Sequence, residues 1–136
     1  MSNSAVNNDS NLPIIAKEIQ NRVPTKAIIL TGSRAIDQSV SEDSDYDIVV
    51  VMHILGIPIY LHKLKRLEEE LEITTGKTIT ISPIPPFKLL KSPDNLYLFK
   101  VKSEGLTIYG KDFLSDLEPG DIKDIIFDKY FSYIFS

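Results

Sequence analysis

No cysteine occurs in the 136 residues. That excludes a disulfide framework, a thiolate zinc site and a cysteine nucleophile. Only two histidines are present, His53 and His62, too few for a multi-histidine metal cage. No run reaches the roughly 18 apolar residues of a membrane span. The opening MSNSAVNNDSN has no basic region followed by an apolar one, so a secretory leader is not expected and a cytoplasmic location is. The nucleotide signatures GxxxxGK[ST] and GxGxxG are both missing. Positive charge is not in excess either: 15 Lys and Arg face 19 Asp and Glu, a net charge of −4. A broad basic face for nucleic acid is therefore not expected, although a local phosphate site is still allowed.

What is present is an ordinary soluble composition, 43% apolar and 25% charged, at a length suited to one α/β domain. Residues 1–11 are polar and read as a flexible tail. Pro13 suits a first helical turn, with Asn11 nearby as a cap; Ile15, Ile19 and Val23 form a helical stripe that Pro24 ends. The runs Ala27–Thr31 and Asp47–Met52 are apolar on both faces, the pattern of strands inside a covered sheet. Tyr60, Leu64, Leu67 and Leu71 predict an amphipathic helix over 59–73, closed by Gly76 and carrying Lys65–Glu69 and Arg66–Glu70 pairs on its wet side. Thr78–Ser82 alternates apolar with hydroxyl residues and predicts a third strand, after which Pro83–Pro86 should leave regular structure. Ser92–Pro93–Asp94 reads as a helix start, but LYLFKV after it suits a strand as well. Leu106–Tyr109 predicts a short strand. Asp121 can cap a last helix on which Ile122, Ile125, Ile126, Tyr130 and Tyr133 form a wide apolar face.

Chemistry concentrates in Thr31–Val51, TGSRAIDQSVSEDSDYDIVVV. Alternate residues of a strand point the same way, so Asp45 and Asp47 should share a side and Tyr46 the other. Two carboxylates that close repel; either one is protonated or a cation lies between them. Oxygen donors without Cys or His suit Mg²⁺ or Mn²⁺, which take their remaining ligands from water and substrate phosphates. Gly32 lets backbone approach a ligand, Ser33 adds a hydroxyl at a helix start that favours anions, and Arg34 adds fixed positive charge. A phosphate-binding turn beside a divalent-metal site describes a place for a nucleoside triphosphate. His53 and His62 read as structural and surface residues.

Gly32–Ser33, eleven intervening residues, then Asp45–Tyr46–Asp47 followed by Ile48–Val49–Val50 resembles the signature of the DNA polymerase β-like nucleotidyltransferase superfamily. GSR and SDYD look like its minimal prokaryotic members, and Glu104–Gly105–Leu106–Thr107–Ile108–Tyr109 resembles the segment that closes their small domain. The resemblance implies an α+β fold, a small mixed β-sheet with helices packed on one side, over a domain of 12–118. It implies Asp45 and Asp47 as metal ligands, Gly32, Ser33 and Arg34 as phosphate-binding residues, and transfer of a nucleoside monophosphate from an NTP, ATP first among them, to a hydroxyl with release of pyrophosphate. The superfamily usually adds a third carboxylate on a later strand. Here Thr80 or Ser82 stands in that place, and a hydroxyl is a poor base at neutral pH. The expectation is thus an enzyme of uncertain turnover, or an inactive nucleotidyltransferase-like regulatory subunit of antitoxin type. The C-terminal helix over 119–136 packs on its own sheet, forms a dimer through 121–136, or docks on a helical partner such as these domains often accompany.

Overall fold

The computed structural model describes residues 9–32, 45–90 and 96–114. In chain order these form α1 (Asn11–Arg22), β1 (Ala27–Thr31), β2 (Tyr46–Val51), α2 (Gly56–Thr75), β3 (Ile79–Ile84), α3 (Pro86–Leu90), α4 (Leu96–Glu104) and β4 (Leu106–Gly110). The sheet is mixed, in the order β3-β2-β1-β4. β1 runs antiparallel to both β2 and β4, whereas β2 and β3 are parallel. The α+β architecture is the expected one.

The two strands that are apolar on both faces, β1 and β2, are the two central ones. Their alternate residues feed two cores. Ile28, Leu30, Ile48 and Val50 join Ile15 and Ile19 of α1 and Leu64, Leu67 and Leu71 of α2 on one face. The long helices therefore lie together on one side of the sheet. The other face is covered too: Ala27, Ile29, Val49 and Val51 pack against Leu89 of α3 and Leu98 and Val101 of α4. Leu67 is 1% exposed, so Leu67→Ala should cost about 2–5 kcal/mol through lost burial and a residual cavity. Ile73, on the same helix but 85% exposed, should change stability by less than about 0.5 kcal/mol on replacement by Ala. Urea denaturation of the two variants checks both.

Several ends differ from the sequence reading. Asn11 is the first residue of α1 and not its cap, and Asp9 and Asn11, placed in the tail, are held in the fold. The Tyr46 hydroxyl donates to the Asp9 carboxylate at 2.6 Å, and the Asn11 backbone N–H donates to the same group at 2.9 Å. Gly76 does close α2, in the left-handed region at φ 71° with its N–H on the Glu72 carbonyl. On the wet side of α2, Lys65 pairs with Glu68 at 3.2 Å, while Glu70 reaches across to Arg22 of α1.

β3 continues through Pro83 to Ile84, where a break was expected. Its position explains this. β3 is an edge strand, and the N–H groups of Ile79 and Ile81 point away from β2. Those two donors are accepted by carboxylates of α2: Ile81 N–H by Glu68 at 2.6 Å and Ile79 N–H by Glu72 at 3.2 Å. Residue 83 follows in the same alternation, and proline there has no N–H to satisfy. The ambiguous LYLFKV is helical, within α4.

Candidate functional site

β1 and β2 pair so that Thr31 lies opposite Asp47, which brings the bend after β1 against the first carboxylate inside β2. Gly32 takes φ 77°, and a Cβ built on it would sit 2.6 Å from Asp47 Oδ2. A side chain at 32 is excluded twice, by the left-handed backbone and by the acid beside it. The Thr31 hydroxyl donates to the Asp47 carbonyl at 3.3 Å and ties the two strand ends together. Gly32 and Asp47 thus lie beside each other at the ends of the two central strands.

Burial, and then the negative charge of Asp45, hold the Asp47 carboxyl above its ordinary value of 3.8. Asp45 itself is exposed, one residue before β2. The two acids are thus near enough to repel. Because the folded state binds the Asp47 proton more tightly than the unfolded chain does, ionising Asp47 costs stability. Its favourable contribution is complete below about pH 3.8 and is lost as pH rises through the higher folded value. Asp47→Asn removes this loss. In metal-free buffer the melting temperature of the variant should rise relative to the native chain between acid and neutral pH, and added Mg²⁺ should narrow that difference. Paired thermal melts from about pH 3 to about pH 7 check it; a difference that shrinks with rising pH would contradict it.

Asp47, Thr80 and Ser82 face the side of the sheet covered by α4. In register, Thr80 is the direct neighbour of Asp47 and Ser82 that of Val49. Between this face and α4 lies a cavity of about 520 Å³, within the usual size range of small-molecule sites. Thr31, Gly32 and Asp47 line it from the central strands, Thr80 and Ser82 from β3, and Tyr97, Lys100 and Glu104 from α4. The three α4 residues are spaced by three and four, one face of a helix. Sequence reasoning did not gather Tyr97 and Lys100 with Glu104 because LYLFKV suits a strand as well, and a period of two scatters what a period of 3.6 gathers. Burial pushes the Tyr97 phenol up; a hydrogen bond with Ser82 opposes this, and the charge of Asp47 adds to the rise.

Gly32, Asp47, Thr80 and Ser82 are therefore assembled around one cavity, with Asp45 beside it. Ser33 and Arg34 lie outside the described residues, as does the segment 121–136. His53 plays a structural part, its Nδ1 accepting from the Leu55 N–H at 3.1 Å. Among the described residues no group of three or more His, Cys, Asp or Glu is placed to hold a metal ion, and no helix is long and apolar enough to cross a membrane. The pair Asp45 and Asp47 nevertheless fits a hard divalent cation: its donors are all oxygen, and the cost of ionising Asp47 beside Asp45 is one that a cation relieves.

Comparison with known proteins identifies the family and the fold. Residues 12–104 match the family described as nucleotidyltransferase domain. None of the curated proteins matches the chain. Among solved structures, a chain from a toxin–antitoxin crystallised with AMP-PNP superposes with a TM-score of 0.52 at 17% identity, over 93% of this chain and 89% of that one. A chain from a mutant of the toxin–antitoxin MntA–HpeT superposes with a TM-score of 0.50 at 15% identity, over 93% and 88%. At such identities the likeness is one of fold.

Proposed function

The chain belongs to the nucleotidyltransferase domain family, and from that premise we propose that it is a metal-dependent enzyme moving a nucleoside monophosphate from an NTP to a hydroxyl acceptor, with release of pyrophosphate. The observation that carries this reading is the placement of the Gly32 bend directly beside the Asp47 carboxylate, at the wall of a cavity of suitable size.

Gly32 leaves its backbone open to a phosphate, and Ser33 and Arg34, next in sequence, are proposed to complete that binding. Asp45 and Asp47 would hold Mg²⁺ or Mn²⁺. A divalent ion bound there neutralises phosphate charge and stabilises the attacking and leaving oxygens. The chain's own residues set the rest. Antiparallel pairing sets Asp47 beside the Gly32 bend, so a substrate anchored on that bend would have its phosphates beside this acid. α4 forms the wall of the cavity opposite the sheet. ATP is the nucleotide to try first, because a chain of the same fold was crystallised in a complex with AMP-PNP. A partner protein is the acceptor to try first, since both structures of like fold come from two-protein toxin–antitoxin pairs. The segment 121–136 is the proposed contact for such a partner or for a second copy.

One observation favours a second reading, a nucleotide-binding regulatory subunit with little or no catalysis: β3 carries Thr80 and Ser82, and no carboxylate, in the row beside Asp47. Calorimetry with ATP, GTP, CTP and UTP, with and without Mg²⁺, tests the site common to both readings. Pyrophosphate release then separates them. Metal-dependent binding with release supports the enzyme, binding without release for any hydroxyl acceptor supports the subunit, and no binding removes both.

A further inference from the structure

The cavity draws its lining from three successive strands of the sheet. Gly32 follows β1, Asp47 lies on β2, and Ser82 lies on β3, two residues beyond the direct neighbour of Asp47, with Tyr97 of α4 lining the same cavity. In-line displacement at phosphorus needs the attacking oxygen on the side opposite the leaving group. A triphosphate anchored at the Gly32 bend, with its α-phosphorus near Asp47, would turn its β- and γ-phosphates toward β1 and its open side toward β3. The hydroxyl on that side belongs to this chain. Tyr97 is 48% exposed, so its phenol is not locked in the core, and it lies close enough to Asp47 for their charges to interact. A phenol is also the most acidic hydroxyl among protein side chains. Thr80 and Ser82 are less suited: both are rooted in the sheet, on the same wall as Asp47, whereas Tyr97 approaches from the opposite wall.

We propose that Tyr97 is a self-modification site, the acceptor for one nucleoside monophosphate delivered in cis by the adjoining site. The proposal rests on the nucleotidyltransferase reading above. In the step, Tyr97 Oη forms a bond to the α-phosphorus. The bond from that phosphorus to the bridging oxygen of pyrophosphate breaks, and its electron pair leaves with pyrophosphate. The phenol proton passes to water in the open cavity. The product is a tyrosyl phosphodiester on α4, across the mouth of the cavity that made it.

The test is incubation of the full chain with Mg²⁺ and ATP labelled at the α-phosphate, followed by intact-mass and fragment mass spectrometry. One adenylyl group per chain is expected, at Tyr97, with a first-order rate constant independent of protein concentration. Tyr97→Phe should lose that label while still binding Mg-ATP in calorimetry. A tagged chain carrying Asp45→Asn and Asp47→Asn should stay unlabelled when mixed with the native chain. Label on another residue, or label on the tagged inactive chain, overturns the proposal. So does an unlabelled native chain that binds Mg-ATP and releases pyrophosphate with another acceptor, which leaves the function intact. An unlabelled chain that binds no nucleotide overturns both.

Discussion

Replacing both Asp45 and Asp47 by Asn should abolish Mg²⁺-dependent nucleotide binding and lower any transfer by about 10³-fold or more, since the two acids are asked to hold the cation that stabilises charge in the reaction. The fold should survive. Asp45 is exposed, and ionised Asp47 is already a cost to the folded chain because of burial and its neighbour's charge. Asn keeps the size of the side chain beside Gly32, so the 2.6 Å space that a Cβ at 32 lacks is not further invaded. The two effects should therefore separate: a melting temperature in metal-free buffer at neutral pH equal to or above that of the native chain, and no heat of binding with Mg-ATP. An unfolded double variant would show that the acids are structural. A folded variant that still binds Mg-ATP would remove them from the site. Single replacements should rank Asp47 as the more damaging for binding, because only Asp47 lines the cavity.

How much of this could be read from residues alone follows from which interactions are local. Ala27–Thr31 and Asp47–Met52 announced themselves because a strand buried on both faces has no polar side to show. Gly76 was legible as a helix end because its left-handed backbone is a local demand. Gly32 was legible as a bend, but its second reason, the Asp47 carboxylate 2.6 Å from a would-be Cβ, exists only once β1 and β2 pair. Pro83 misled for the same kind of reason. Proline breaks a strand in general, and only the edge position, with Glu68 and Glu72 meeting the other outward N–H groups, makes residue 83 a tolerant place. Glu70 was assigned to Arg66 by spacing along its own helix, yet it found Arg22 on α1, a partner that no helical period contains. The roof of the cavity was the costliest omission. Tyr97, Lys100 and Glu104 sit 50 or more residues from Asp47 in sequence, and only the crossing of α4 over β3, β2 and β1 brings them to it.

Thr80→Asp should raise pyrophosphate release in the presence of an acceptor by about 10²–10⁴-fold, the usual worth of a well-placed general base. Thr80 is the choice because parallel pairing makes it the direct neighbour of Asp47, on the cavity side of an edge strand, and because it is exposed, so a carboxylate there stays hydrated until substrate arrives. Ser82 is less suitable, since its neighbour in register is Val49 and not Asp47. The gain comes with an opposite effect on the empty protein. A third negative charge should push the Asp47 carboxyl further up and lower the melting temperature at neutral pH without metal; Mg²⁺ should restore it more strongly than in the native chain. Finding both signs in one variant, faster release and a larger Mg²⁺-induced stabilisation, would show that the native site is a nucleotidyltransferase short of one acid. A variant that gains the metal-linked stabilisation yet releases no pyrophosphate would instead mark the chain as a nucleotide-binding subunit, with its deficit beyond β3.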